Sequence, residues 1–123
     1  MAIPGSVLIV DDEAHVRAFM KLVLEKLGIP TIYEAGRMDE AREKFAAHSP
    51  GLVTLDVNLP GGSGLDLLRE FRAVDDDVLI VIVSTEVQAG VVNEAADAGA
   101  DGFIRKDLPR DQILAELKGI LAD

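Results

Sequence analysis

The sequence predicts an α/β protein folded as a three-layer α/β/α sandwich around a five-stranded parallel sheet. Short apolar runs alternate five times with segments of helical periodicity along the 123-residue chain. This alternation is typical of repeated βα units. Most of the runs are apolar at nearly every position, as expected for strands covered by helices on both faces. The length fits one domain, which we assign to residues 1–123.

The first two βα units are predicted within residues 6–48. The first strand, Ser6–Val10, precedes a helix whose apolar positions recur every three or four residues until Gly28 ends it. A shorter and more polar second strand is predicted at 31–34, and this composition indicates the edge of a sheet. A helix at about Met38–His48 follows it.

The third unit begins with a strand at Leu52–Leu55. The loop after it, at 57–64, contains Pro60 and three glycines, a composition that favours tight turns and close backbone approach. The next helix is predicted from a narrow apolar stripe formed by Leu65, Leu68 and Phe71.

The last two units complete the sheet. The run VLIVIV at 78–83 is the most hydrophobic strand and should be central or nearly so, and an alanine-rich helix at about 87–98 follows it. The fifth strand is predicted at Gly102–Arg105, and Pro109 opens the final helix. Since crossovers between parallel strands are right-handed, the helices should cover both faces of the sheet.

Composition excludes several classes of function. The net charge of −10 argues against sequence-independent nucleic-acid binding, which needs a basic surface. The absence of cysteine excludes disulfides, zinc–thiolate sites and a cysteine nucleophile. The start of the chain has neither a secretory signal pattern nor a membrane-spanning run. We therefore expect a cytoplasmic protein without membrane insertion.

Polar residues stand where four of the predicted strands end: Asp11 and Asp12, Asp56, Ser84 and Lys106. The carboxyl ends of parallel strands lie along one edge, where open α/β sheets bind ligands. Three carboxylates placed together repel one another and require a cation. Mg²⁺ prefers such oxygen ligands, and Mn²⁺ is an alternative ion. With Lys106 as a second positive charge, the set predicts a carboxylate that accepts a phosphoryl group.

Taken singly, these residues have simpler interpretations. Asp56 could be a turn residue and Lys106 a solvated lysine at a strand end. Asp12 could cap the helix that follows the first strand, and Ser84 could cap the helix that follows the fourth. The occurrence of every residue type, each at the end of a different strand, favours the common site.

Four segments resemble the response-regulator receiver domain of two-component phosphorelays: LIVDDE at 8–13, LDVNLPGGSGLDLL at 55–68, ST at 84–85 and ADGFIRK at 100–106. The resemblance covers essentially the whole chain and is to the stand-alone, single-domain type. It implies a flavodoxin-like (βα)5 fold with strand order 2-1-3-4-5.

The resemblance also implies roles for the acidic residues. Asp56 is the implied phosphoacceptor and a metal ligand. Asp12 is implied to bind the metal directly, Asp11 to hold metal-bound water, and the backbone carbonyl of Asn58 to complete the protein ligands.

Three further residues are implied to bind the phosphoryl group or respond to it. Ser84 corresponds to the hydroxyl switch and Lys106 to the ion-pairing lysine. Phe103 matches an aromatic switch position, although a strand aromatic is as often a core residue. Asp107, directly after Lys106, could compete for the lysine charge.

The lifetime of the phosphoryl group should depend on three residues near the site. Thr85 stands where the family often has a smaller residue, and its bulk predicts slower hydrolysis. Asn58 and Glu86, each two positions beyond a key residue, could orient an attacking water. These effects oppose each other.

The leading hypothesis is a phosphorylation-dependent switch. Asp56 would take a phosphoryl group from the phosphohistidine of a histidine kinase or a histidine phosphotransfer protein. The surface of the fourth helix, fifth strand and fifth helix would then change for a downstream protein. Such a chain catalyses only its own phosphorylation and dephosphorylation.

Two alternatives remain open at this point. One is a Mg²⁺-dependent phosphatase of the haloacid-dehalogenase type. The segment LDVN at 55–58 loosely resembles the motif of such enzymes, but Asn58 stands where that motif has an acid. The other is a degenerate receiver that serves as a phosphorylation-independent scaffold.

Overall fold

The structure is a computed structural model that describes residues 3–122. Its main sheet has five parallel strands in the order β2-β1-β3-β4-β5. Their bounds are β1 Ser6–Val10, β2 Thr31–Ala35, β3 Leu52–Leu55, β4 Leu79–Ser84 and β5 Gly102–Arg105. The predicted fold class and strand order are confirmed.

Five helices cover the two faces of the sheet: α1 Ala14–Leu27, α2 Met38–His48, α3 Gly64–Val74, α4 Ala89–Asp97 and α5 Arg110–Leu121. One apolar core lies between the sheet and α1 with α5, and the other lies between the sheet and α2, α3 and α4. Every residue of the central strand β3 is buried, whereas the edge strand β2 is mostly half-buried, as its polar sequence indicated. Within residues 3–122, no helix combines the length and apolarity needed to cross a membrane.

The predicted loop at 57–64 contains a two-residue antiparallel hairpin, which we leave unnumbered. Asn58–Leu59 pairs with Gly62–Ser63 across a turn at Pro60 and Gly61. Gly61 has φ +80°, the left-handed conformation that a turn with proline before glycine requires. The hairpin projects from the carboxyl end of β3 and so lies beside Asp56.

Some element boundaries differ from the prediction. β2 extends one residue further, to Ala35, and β4 is displaced by one residue so that Ser84 is its last member. α4 begins at Ala89 rather than 87. The hydroxyl of Ser84 accepts a hydrogen bond from the Glu86 N–H (3.1 Å), which turns the chain after β4 and delays the helix.

Candidate functional site

The adjacent strands β1 and β3 bring the predicted carboxylates together. Val10 is the register partner of Leu55, so Asp11 and Asp56 leave the sheet side by side. The Asp56 N–H also donates to the Val10 carbonyl (2.9 Å). Both carboxylates are 3% exposed. Oxygen atoms of Asp11, Asp12, Glu13 and Asp56 all lie within 4.8 Å of one another.

Lys106 reaches into this cluster from the end of β5. Its Nζ lies 2.8 Å from Asp56 Oδ2, 2.8 Å from Glu13 Oε1 and 3.3 Å from Asp11 Oδ2. An ammonium group has three N–H donors, so each carboxylate can receive one. Asp107 pairs with Arg105 instead (2.8 Å). The expectation that Asp107 competes for the charge of Lys106 is therefore wrong, because the Asp107 carboxylate pairs with Arg105.

The pKa values in the cluster reflect burial and the contacts between Lys106 and the carboxylates. Burial raises the pKa of Asp11 and the Asp56 carboxylate adds to this, against the opposing effects of the Glu13 N–H and Lys106. Burial by itself lowers the pKa of Lys106, but its hydrogen bonds to Asp56 and Glu13 and the nearby carboxylates raise it more. The hydrogen bond from Lys106 lowers the pKa of Glu13. One ammonium thus faces four carboxylates, a donor set that fits a divalent cation bound through oxygen.

The capping interpretation of Asp12 is wrong. The N-cap of α1 is Glu13, and its side chain makes no capping bond. The turn is held by Asp11, whose Oδ1 accepts from the Glu13 N–H (2.9 Å). Arg17 Nη1 donates to the Asp11 carbonyl (2.7 Å) and holds the chain after β1 from the side of α1. Asp12 remains exposed at the mouth of the cluster.

The start of α3 approaches Asp56 closely. The Gly64 N–H donates to the Val57 carbonyl (2.8 Å), and a Cβ atom on Gly64 would lie 1.9 Å from the Asp56 carbonyl oxygen. Only glycine fits at this position without movement of the backbone. The Asn58 N–H donates to Asp56 Oδ1 (3.3 Å), so the hairpin also orients the acidic side chain.

Ser84 lies at the end of β4, the strand beside β3, and is fully buried. Its carbonyl accepts from the Lys106 N–H (3.1 Å), which joins the ends of β4 and β5. It does not cap α4, because that helix begins at Ala89. The Ser84 hydroxyl accepts from Glu86 but keeps its own hydrogen as a donor.

Residues 7–118 match the family described as the response regulator receiver domain. The chain belongs to this family. Receiver domains of this CheY-like type are phosphorylation-dependent signalling switches that bind Mg²⁺ at an acidic cluster, and they are signalling proteins rather than classical enzymes. Family membership favours the receiver interpretation over the phosphatase.

Several relatives match this receiver domain along nearly its whole length. The chemotaxis protein CheY of Bacillus subtilis is 36% identical over 115 residues, which are 94% of this chain and 96% of that protein. CheY of Thermotoga maritima is 34% identical, with 93% and 95% covered.

Two solved structures support the same assignment. The CheX-CheY-BeF3-Mg complex from Borrelia burgdorferi aligns with a TM-score of 0.90 at 27% identity and covers 98% of this chain and 92% of the matched one. The response regulator TrrA of Thermotoga maritima, in complex with Mg²⁺-BeF, aligns at 0.82 with 30% identity and covers 94% and 98%.

The remaining predicted residues of the receiver domain differ in burial and position. Phe103, in β5, is half-buried and packs against the core beneath α4. Asn58 and Thr85 are exposed, and Glu86 is half-buried. Sequence reasoning missed Glu13 as a partner of Lys106. Its position directly after Asp12, inside the segment LIVDDE, was the available signal.

Proposed function

We propose that Asp56 accepts a phosphoryl group from the phosphohistidine of a partner histidine kinase or histidine phosphotransfer protein. The observation that carries this proposal is the environment of the Asp56 carboxylate. It is buried, its Oδ2 lies 2.8 Å from Lys106 Nζ, and it shares a cluster with three other carboxylates. An acceptor needs a fixed nucleophilic oxygen and nearby positive charge for the transferred oxygens.

We propose that the carboxylates of Asp12 and Asp56 and the backbone carbonyl of Asn58 bind the metal directly, and that Asp11 binds it through a water molecule. The four-carboxylate donor set supports Mg²⁺, with Mn²⁺ as an alternative. When bound, the ion neutralises charge on the phosphoryl oxygens. The resemblance to the receiver family implies the metal-bound water for Asp11, whose Oδ1 and Oδ2 accept hydrogen bonds from the Glu13 N–H and Lys106.

In the proposed transfer, an Asp56 oxygen attacks phosphorus while the bond to the donor imidazole breaks and the imidazole leaves. Lys106 turns one N–H from Asp56 Oδ2 to a phosphoryl oxygen. It needs little movement, because its side chain is 11% exposed and already held by Glu13 and Asp11. The Ser84 hydroxyl donates its hydrogen to another phosphoryl oxygen.

The signal is proposed to leave through the fourth and fifth βα units. When Ser84 turns toward the phosphoryl group, it gives up the hydrogen bond from Glu86 and frees the segment before α4. The half-buried ring of Phe103, which extends from β5 toward α4, then changes its position. The surface of α4, β5 and α5 is altered for a downstream protein partner.

The test is phosphorylation by a small phosphodonor, followed by intact mass. We expect a mass gain of one phosphoryl group that requires Mg²⁺ and is absent in Asp56→Asn. Asp66→Asn, which changes an exposed aspartate in the first turn of α3, is the matched control and should still gain the group. No gain in the wild-type chain would favour the scaffold, and catalytic turnover of a phosphoester would favour the phosphatase.

The phosphoryl lifetime provides a second expected outcome. Thr85 is exposed directly after Ser84, and we propose that its bulk limits the access of water to the phosphoryl group. Thr85→Ala should shorten the lifetime severalfold, as measured by the decay of the phosphorylated mass after removal of the donor. Thr85→Val keeps the bulk and serves as the control. An unchanged decay in Thr85→Ala would contradict the steric proposal.

A further inference from the structure

We propose that a cleft between the C-terminal halves of α2 and α3 docks a partner protein through one apolar side chain flanked by lysine or arginine. This docking cleft has a volume of about 550 Å³. It lies between two helices that the proposed phosphorylation mechanism uses only at their N-terminal ends.

The shape of the docking cleft suits an apolar side chain. The rings of Phe45 and Phe71 stack beneath the cleft, with centroids 4.0 Å apart and planes inclined by 8°, and form its buried apolar floor. Val74 stands beside them with 78% of its surface exposed, the largest exposure among the large apolar side chains of residues 3–122. An apolar group seated against the two rings would remove the Val74 side chain from water, which is favourable.

The charge of the docking cleft suits a cation beside that apolar group. α2 ends here at His48 and α3 at Val74, with Ser49 and Asp75 as their C-caps, and a helix C-terminus carries partial negative charge. The run Asp75, Asp76 and Asp77 follows at once, and its last two members are exposed.

The nearby cations do not cancel this charge. Arg42, the one cation among the lining residues, is bound through two nitrogens by Glu70 (2.8 and 3.0 Å). The Arg72 guanidinium donates to the backbone carbonyl of Asp76 in the same turn (3.1 Å), but it also pairs with the Asp101 carboxylate (2.9 Å). The three aspartates therefore leave net negative charge at this end of the cleft, which favours a basic partner.

The position of the docking cleft allows it to be filled while the acidic cluster is engaged. The other ends of the same helices adjoin the Asp56 loop. Gly64 touches Asp56 at the start of α3, and Met38 of α2 lies against Gly62. Each helix has 11 residues and so is about 16 Å long, which separates the cleft from the cluster.

A pair of matched peptides tests the proposal in the full chain by NMR. The first carries one leucine between lysines, and the second carries glutamates in place of the lysines. The lysine peptide should shift the amide signals of residues 45–49 and 71–77 in a saturable way. The glutamate peptide should leave them unchanged.

Two variants separate docking in the cleft from general attraction to an acidic protein. Val74→Ser should weaken binding of the lysine peptide about tenfold, the loss expected when a valine no longer contributes apolar contact. Leu22→Ser removes another exposed apolar side chain, on α1, and should leave binding unchanged.

Three results would overturn the proposal. The first is a set of amide shifts spread over the whole acidic surface, and the second is an affinity of the Val74→Ser chain for the lysine peptide equal to that of the wild type. The third is a set of amide shifts in the cleft that depend on the protein concentration without any peptide. The last would identify a second copy of the chain as the occupant.

Discussion

Lys106 bonds three carboxylates that leave two different strands, and it is the residue on which the charge balance of the acidic cluster depends. Its ammonium lies within 3.3 Å of oxygens from Asp11, Glu13 and Asp56. Two of these carboxylates are almost completely buried. Removing the ammonium would leave them without a compensating charge, which is costly in a protein interior.

Lys106→Met should therefore destabilise the protein in Mg²⁺-free buffer, by about 3 kcal/mol in the free energy of unfolding. Millimolar Mg²⁺ should raise the Tm of this variant more than that of the wild type, because the ion no longer competes with the lysine for the same oxygens. Thermal unfolding with and without Mg²⁺ measures both effects.

Lys21→Met is the control for this comparison, since Lys21 is exposed on α1. It should match the wild type in both buffers. Equal Mg²⁺ shifts in the Lys106→Met and wild-type chains would show that the lysine and the metal do not share the carboxylates.

Single residues of the site differed in how far the sequence could predict them. Asp11, Asp56 and Lys106 each directly follow a predicted strand, so the strand pattern alone placed them on one edge. Glu13 was missed, because its approach to Lys106 depends on how the chain turns into α1. The pairing of Asp107 with Arg105 likewise depends on side-chain directions that a strand pattern does not contain.

At the scale of the elements, the junction between β3 and α3 is sterically constrained. The first residue of α3, Gly64, leaves no room for a side chain above the Asp56 carbonyl, since a Cβ atom would approach within 1.9 Å. The obstructing atom belongs to the backbone of Asp56 itself. Any residue other than glycine must therefore move either the helix or the proposed acceptor.

Gly64→Ala should lower the free energy of unfolding by about 3 kcal/mol, in the upper range of overpacking effects. It should also reduce the rate of phosphorylation, because relief of the contact displaces Asp56. Gly119→Ala, in α5, is the matched control. No heavy atom lies within 4 Å of the added group there, and alanine should stabilise the helix by roughly 0.5 to 1 kcal/mol.

Chemical denaturation and the phosphorylation rate of the two glycine variants measure these outcomes. A Gly64→Ala chain that is as stable and as reactive as the wild type would mean that the close approach has no role in holding Asp56.

Most elements could be predicted from the sequence because their apolar patterns are strong. α1 and β3 match the predicted positions, since burial fixes which residues face the core. The hairpin after β3 was predicted only as a loop, because two-residue strands have no periodicity of their own. The later start of α4 depends on the hydrogen bond between Ser84 and Glu86, which sequence periodicity does not reveal.

For the whole molecule, strand order relates the fold to the site. Because β1 and β3 are neighbours, Asp11 and Asp56 lie together although they are 45 positions apart in the sequence. β4 and β5, on the other side of β3, add Ser84 and Lys106. This arrangement follows from the order 2-1-3-4-5, which the sequence analysis predicted through resemblance to the receiver family. Strand patterns alone predict a parallel sheet but do not determine its order.

Two pairs of helices serve the two proposed tasks. α2 and α3 start at the Asp56 loop and end at the docking cleft, whereas α4 and α5 flank β5 and Phe103. The phosphoryl response and the proposed docking therefore use different parts of the surface. Loss of phosphorylation in Asp56→Asn should leave peptide binding at the cleft intact, which keeps the two proposals independent.

The central claim is that Asp56 is the residue that becomes phosphorylated, and reductive trapping tests it most directly. After treatment with a phosphodonor and Mg²⁺, borohydride reduces an aspartyl phosphate to the alcohol of homoserine, and tandem mass spectrometry locates the change. We predict that this product forms at position 56 and is absent without Mg²⁺. Reduction at Asp11 or Asp12 instead, or a stable phosphate on His15 or His48, would contradict the account.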